Sequence, residues 1–185
     1  KSPVYDNETS AGPLADALKR VMAVYKIDDR RVVLVGHNAG GCMAWNLATK
    51  FPKMFAAVAS FSGEIREENR GALKGLAGKK ALIFRGSKDT YFNSKMLADD
   101  KMYLEGAKVD LKVVEKAGWD QAMPTPDLPA LAAWVDGISP AGPWKEKADA
   151  AEKALAAGDF AGTAKALGEL AAELKKSPYP AFEQK

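Results

Sequence analysis

Val32-Val33-Leu34-Val35-Gly36-His37-Asn38-Ala39-Gly40-Gly41 is an aliphatic run that stops at a glycine-bracketed turn. With Arg31 in front, Arg31–Val35 has the β-branched, unbroken apolar character of a strand covered on both faces of a parallel sheet. Gly36 to Gly41 then reverses the chain, and the next residues, Cys42 to Lys50, have helical composition and end before Pro52. A strand, a turn this short and a helix place the middle residue, Asn38, at the tip, with the N–H of Ala39 beside the helix N-terminus. Glycine at 36 and 40 is expected because side chains there would strike the neighbouring strand and helix.

Outward from this turn the same pattern repeats. Ahead of it, Leu14, Ala17, Leu18, Val21, Met22 and Tyr25 follow an i, i+3/i+4 rhythm that predicts a helix opening at Pro13, with residues 1–12 polar and turn-rich. Behind it, 56–61 reads as a second buried strand, and 81–84 and 109–114 as a third and a fourth strand. Residues 64–78 read as a loop with a short helix, and 94–105 and 128–135 as helices. Strands alternating with helices at this spacing imply parallel βαβ crossovers. The expected fold class is α/β, a three-layer partial sheet of about four parallel strands whose first strand lies at an exposed edge. Residues 1–138 form this domain. A linker, 139–144 (Ser-Pro-Ala-Gly-Pro-Trp), leads to a helical hairpin over 145–176 broken at Gly158-Asp159, and 177–185 is a tail.

Composition limits the function classes. At 47% hydrophobic and 28% charged residues, the chain is globular rather than disordered. A net charge of +3, with lysines interleaved among acids and no basic cluster carrying aromatics, argues against nucleic-acid binding. No apolar run is long enough to span a membrane. Cys42 and His37 are the only cysteine and histidine, too few for a disulfide or for a zinc site of cysteines and histidines; no metal and no cofactor are expected.

The stretch from Ile27 through Ala48, followed by Phe51-Pro52 and Phe55-Ala56-Ala57-Val58-Ala59 to Gly63, resembles the polyhydroxybutyrate-depolymerase, feruloyl-esterase and dienelactone-hydrolase group of α/β hydrolases. The resemblance implies that residues 32–41 are a nucleophile elbow, which in that group reads Gly-x-Ser-x-Gly-Gly. It implies that Phe84-Arg85-Gly86-Ser87-Lys88-Asp89 delivers the triad acid at Asp89. It also places Lys116-Ala117-Gly118-Trp119 where the group carries its catalytic histidine. The Ala39 N–H, flanked by Asn38 and Gly40, would be half of an oxyanion hole.

Two of these positions hold the wrong chemistry. Asn38 replaces the serine, and an amide has neither a basic lone pair nor a removable proton for attack on an ester. Trp119 replaces the histidine, and an indole N–H only donates. His37 precedes the tip and points elsewhere. Cys42, one turn into the helix, is expected to pack as a small buried residue, and Ser60 and Ser62 lack a base. The expectation is therefore a catalytically inactive, esterase-like protein acting as a scaffold, a binding module or part of a larger assembly. Two alternatives stand beside it: a hydrolase with residual or atypical activity on small acyl esters, and a small-ligand binder that uses Asn38, the Ala39 N–H and Asp89, with Trp119 as a wall. The resemblance further implies strands ahead of the turn, where only 31 residues precede Val32. A partner polypeptide, a missing N-terminal half or a second copy is expected to complete the sheet. The resemblance to secreted esterases implies export.

Overall fold

In the computed structural model, residues 7–25, 27, 31–121, 128–138 and 143–176 are described, the side chains of 7–9, 143–146 and 173–176 excepted. The expected strand–helix alternation is present. Four parallel strands, β1 (Val33–His37), β2 (Ala57–Phe61), β3 (Lys80–Gly86) and β4 (Asp110–Lys116), stand side by side in chain order. Helix α2 (Ala39–Lys50) joins β1 to β2. A short α3 (Glu67–Arg70) and a 3₁₀ turn at Leu73–Leu76 lie between β2 and β3, and α4 (Ser94–Gly106) joins β3 to β4. These connections share one core with the sheet. Trp45 and Ala48 from α2, Leu73 and Leu76, and Leu97 and Leu104 from α4 pack on Val58, Ala81 and Ile83. Each large aliphatic or aromatic side chain removed from water there contributes about 1.5–3 kcal/mol.

Three expectations are corrected. The first helix, α1, runs Asn7–Val24 with Pro13 inside it rather than at its start. Proline keeps a helical φ but forfeits one backbone bond and crowds the carbonyl four residues before it, so packing must offset the cost. Ala11 and Ala15, each 1% exposed, hold the turns on either side of it against Met43, Leu47 and Phe55. The first strand is not Arg31–Val35, because parallel pairing with β2 begins at Val33↔Ala57 and continues to His37↔Phe61. Gly36 and His37 therefore belong to the strand. The reversal is a single residue, Asn38, and α2 starts at Ala39 rather than at Cys42.

β1 is an edge strand, as expected. Ala56 donates to the Val32 carbonyl and Asn38 donates to the Phe61 carbonyl, so the even-numbered backbone groups of this stretch face β2. The N–H and C=O groups of Val33, Val35 and His37 then point away from the sheet, where no described strand pairs with them. The Val35 side chain is 47% exposed.

Contacts divide the chain into two units, residues 1–132 and 133–185, with the division inside α5 (Leu128–Asp136). The second unit is the expected hairpin, α6 (Pro143–Ala156) packed along α7 (Phe160–Lys176). Ala151 is buried in it, and Asp159 caps α7 through the Gly162 N–H. Because α6 begins at Pro143, it takes in the last two residues of the expected linker. Residues 139–142 of that linker and the whole tail, 177–185, lie outside the described residues.

Candidate functional site

The turn at Asn38 is held from three sides. Its N–H donates to Phe61 on the neighbouring strand (2.8 Å), and its carbonyl accepts from Gly41 (2.8 Å) and Cys42 (3.1 Å) in the first turn of α2. Its backbone lies at φ 52°, ψ −120°. Asparagine is enriched at positive φ in the left-handed helical region, where ψ is near +45°. At ψ −120° that tolerance does not apply, so the conformation is strained and is imposed by the surrounding packing.

The glycines divide differently from expectation. A Cβ at Gly36 would sit 2.0 Å from the Gly40 carbonyl oxygen, so Gly36 is obligatory. Nothing lies within 4 Å of a Cβ at Gly40, which corrects the expectation for that position: its side-chain direction on the first turn of α2 is open. The second close approach is at Gly41 instead. A Cβ there would lie 2.6 Å from Ser60 Oγ and 3.0 Å from Gly63 Cα, and a Cβ on Gly63 would lie 2.8 Å from the Asn38 carbonyl oxygen. The turn is thus wedged against Ser62-Gly63, where Ser62 itself has φ 53°. Ser60 is fully buried and donates to the Gly63 carbonyl (2.8 Å), a structural role.

The ends of β3 and β4 bring two more loops alongside. Ser87 N–H bonds to Lys116 O (2.9 Å), Gly118 N–H to Ser87 Oγ (2.9 Å) and Lys88 N–H to Trp119 O (2.7 Å). Gly86 lies so close beneath Trp119 that a Cβ there would come within 2.1 Å of the Trp119 carbonyl. These contacts fix the half-buried Trp119 beside the loop carrying Asp89. Asp89 is 3% exposed, and its Oδ1 accepts from the N–H groups of Tyr91 and Phe92 (2.9 Å each). Its buried Oδ2 has no hydrogen-bond partner among the described residues.

Gln121, two residues past Trp119, bridges the loops. Its side-chain oxygen accepts from Asn38 Nδ2 (3.3 Å), and its backbone carbonyl pairs with His37 Nε2. His37 is therefore turned toward this loop and exposed. Sequence reasoning passed over Gln121, because a polar residue in an aperiodic loop carries no local signal of what it will cap. Ala39, the first residue of α2, presents one of the helix N–H groups that has no acceptor within its own helix. Cys42 is fully buried, and burial pushes its thiol pKa up, away from thiolate reactivity. Among the described residues no three His, Cys, Asp or Glu are grouped to hold a metal ion, and no helix is long and apolar enough to cross a membrane.

Comparison with known proteins bears on the family and the fold. The family model described as esterase PHB depolymerase matches residues 5–101, a stretch that contains Asn38 and Asp89 and ends before Trp119. No curated protein sequence matches the chain. Among solved structures, SOBER1 from Arabidopsis thaliana superposes with a TM-score of 0.63 at 15% identity, over 74% of this chain and 67% of that one. Esterase PE8 gives 0.63 at 20% identity, over 74% and 63%. The carboxylesterase of Bacillus cereus gives 0.62 at 19% identity, over 75% and 66%. The chain thus spans about two-thirds of these esterases, and at such identities they establish the fold alone.

Proposed function

The chain belongs to the esterase PHB depolymerase family, and from that premise we propose that it is a non-catalytic member, a pseudo-esterase serving as a scaffold, a binding module or part of a larger assembly. The observation that carries this reading is Asn38. It occupies the strained tip of the strand–turn–helix, which in this reading is the place of the nucleophile, and its amide is engaged by Gln121. Supporting it, Asp89 Oδ2 is buried without a donor among the described residues, and the residue placed beside its loop is Trp119, which cannot shuttle a proton.

In this reading the open edge of β1 is where the assembly forms. The outward N–H and C=O groups of Val33, Val35 and His37 match a further strand, and Val35 beside them is an exposed apolar residue. The occupant we propose is a partner polypeptide or a second copy that extends the sheet.

A panel of short-chain p-nitrophenyl esters tests the proposal, with Asp89→Asn as the control because it keeps the Oδ1 acceptor for Tyr91 and Phe92. We expect no turnover above buffer from either protein. Turnover that Asp89→Asn abolishes would mean that the site is catalytic and would establish the residual-hydrolase reading instead. The unpartnered Asp89 Oδ2 favours one second reading, a small polar ligand that offers a donor to this oxygen. Such a ligand raises the thermal midpoint of the wild type and leaves that of Asp89→Asn unchanged.

A further inference from the structure

The second unit has very little core of its own: among its described side chains Ala151 is the only one buried. Its helix α7 carries two apolar faces. Thr163, Ala166 and Leu170 are half-buried and share one side of the helix. Rotated from them by about 100° are Phe160, Ala164, Leu167 and Ala171, all exposed, Phe160 at 75% and Leu167 at 50%. Steps of four, three and four residues make these four a seam along the helix. The positions that border the seam, Ala161 and Gly168 on one side and Thr163 and Leu170 on the other, carry no charge. Lys165 and Glu169 lie away from it, and Glu169 is paired with Lys147 of α6 at 3.9 Å. Leu155, 56% exposed, stands beside the turn that leads to Phe160.

We propose that this seam is a homodimer interface, in which α7 packs antiparallel on α7 of a second copy. Large and small residues alternate along it at matching steps. A twofold axis passing between Lys165 and Ala166 sets Phe160 opposite Ala171 of the second copy and Ala164 opposite its Leu167. Every large side chain then meets a small one, and no two large ones collide. A seam that reads the same from either end is what twofold pairing requires, and a partner of unrelated sequence has no need of it. The alanines let the helix axes approach to about 8 Å, the close end of helix packing. Because the seam is free of charge, pairing buries no ion, and a partner selected by charge would find nothing there to read. Two hairpins joined in this way bring four helices together and cover the face that one hairpin leaves open. The seam spans about 18 Å of helix, less than a standard interface, so association belongs in the micromolar range. This inference stands apart from the reading of Asn38 and from the open edge of β1.

The test is sedimentation equilibrium of the whole chain from about 5 to 500 μM, in which the wild type should pass from monomer to dimer. Leu167→Glu places a charge in the seam twice per dimer and should raise the dissociation constant about 100-fold or more. Position 167 is half exposed in the single chain, so far-UV circular dichroism and the thermal midpoint of the dilute variant should match the wild type. Phe160→Ala should weaken the dimer about 10-fold or more. Combining Phe160→Ala with Ala171→Phe exchanges large and small at the two ends of the seam and keeps each opposite the other. That double variant should return to within about 10-fold of the wild type, which only the antiparallel register allows. Val35→Lys, on the open edge of β1, reads the other surface separately and should leave this dimer in place. A wild type that stays monomeric, a dimer that survives Leu167→Glu, or one that Val35→Lys abolishes overturns the proposal. So does a double variant no better than Phe160→Ala alone.

Discussion

Replacing Asn38 separates the strain in its backbone from the bond its side chain makes. A non-glycine residue at φ 52°, ψ −120° stores about 1–3 kcal/mol, which glycine does not. The bond from Nδ2 to Gln121 Oε1 is long, at 3.3 Å and partly exposed, and contributes toward the lower end of about 0.5–1.5 kcal/mol. Asn38→Ala loses the bond and keeps the strain, so it should destabilise the protein by about 0.5–1 kcal/mol. Asn38→Gly loses the same bond but relieves the strain, offset by about 0.4–1 kcal/mol for the greater freedom of glycine in the unfolded chain. Glycine should therefore exceed alanine in stability by about 1–2 kcal/mol, although it is the more flexible residue. Urea denaturation followed by tryptophan fluorescence reads this directly, with Trp45 fully buried on α2 as a reporter. In thermal melts the same gap is about 2–8 °C for a chain of this size. If alanine equals or exceeds glycine, the turn is not strained and the reasoning about Asn38 fails.

Three further expectations follow from the same contacts. Gly36→Ala and Gly86→Ala drive a Cβ to 2.0 and 2.1 Å from backbone carbonyl oxygens, so each should cost about 3 kcal/mol or more, whereas Gly40→Ala should be neutral or gain up to about 1 kcal/mol; equal urea midpoints for the three would contradict the packing described. For Asp100 the folded protein keeps its proton while the unfolded chain loses it above about pH 4, so this group's contribution to stability is complete at acid pH and falls as pH rises to about 7. The loss is at most about 4 kcal/mol, three pH units at 1.36 kcal/mol each, so the wild type, whose Asp100 on α4 is 1% exposed, should lose stability relative to Asp100→Asn across that window in denaturation at constant ionic strength. Asn38→Ser alone should not hydrolyse p-nitrophenyl acetate, because Trp119 cannot act as its base; turnover by that single variant would show that another group supplies one.

The strands were legible because buried parallel strands need unbroken aliphatic runs, and 32–35, 56–61 and 81–84 have little other use. Asn38 was legible at the tip of a turn because a glycine-bracketed reversal between a strand and a helix fixes where its middle residue must sit. What the sequence concealed was non-local. Gly41 is needed because of Ser60 and Gly63, some twenty residues away, and Gln121 reaches Asn38 across the sheet end. Local helix rules placed Pro13 at a helix start, but α1 runs through it, with Ala11 and Ala15 on either side buried in a cluster that includes Met43 and Leu47 of α2. The value of ψ at Asn38 is set by its neighbours, so residue preference could suggest a positive φ and nothing beyond it.

The order of the strands also bears on how the sheet assembles in time. Each strand pairs with the next one in the chain, so every pairing closes only a short loop: Val33 to Ala57, Ala57 to Lys80, Lys80 to Asp110. Loop-closure entropy grows with loop length, and folding is slowest when distant segments must meet first. Here no pairing waits on a distant one. Among the described strands, each can be added as the chain emerges, on the edge left by the one before it.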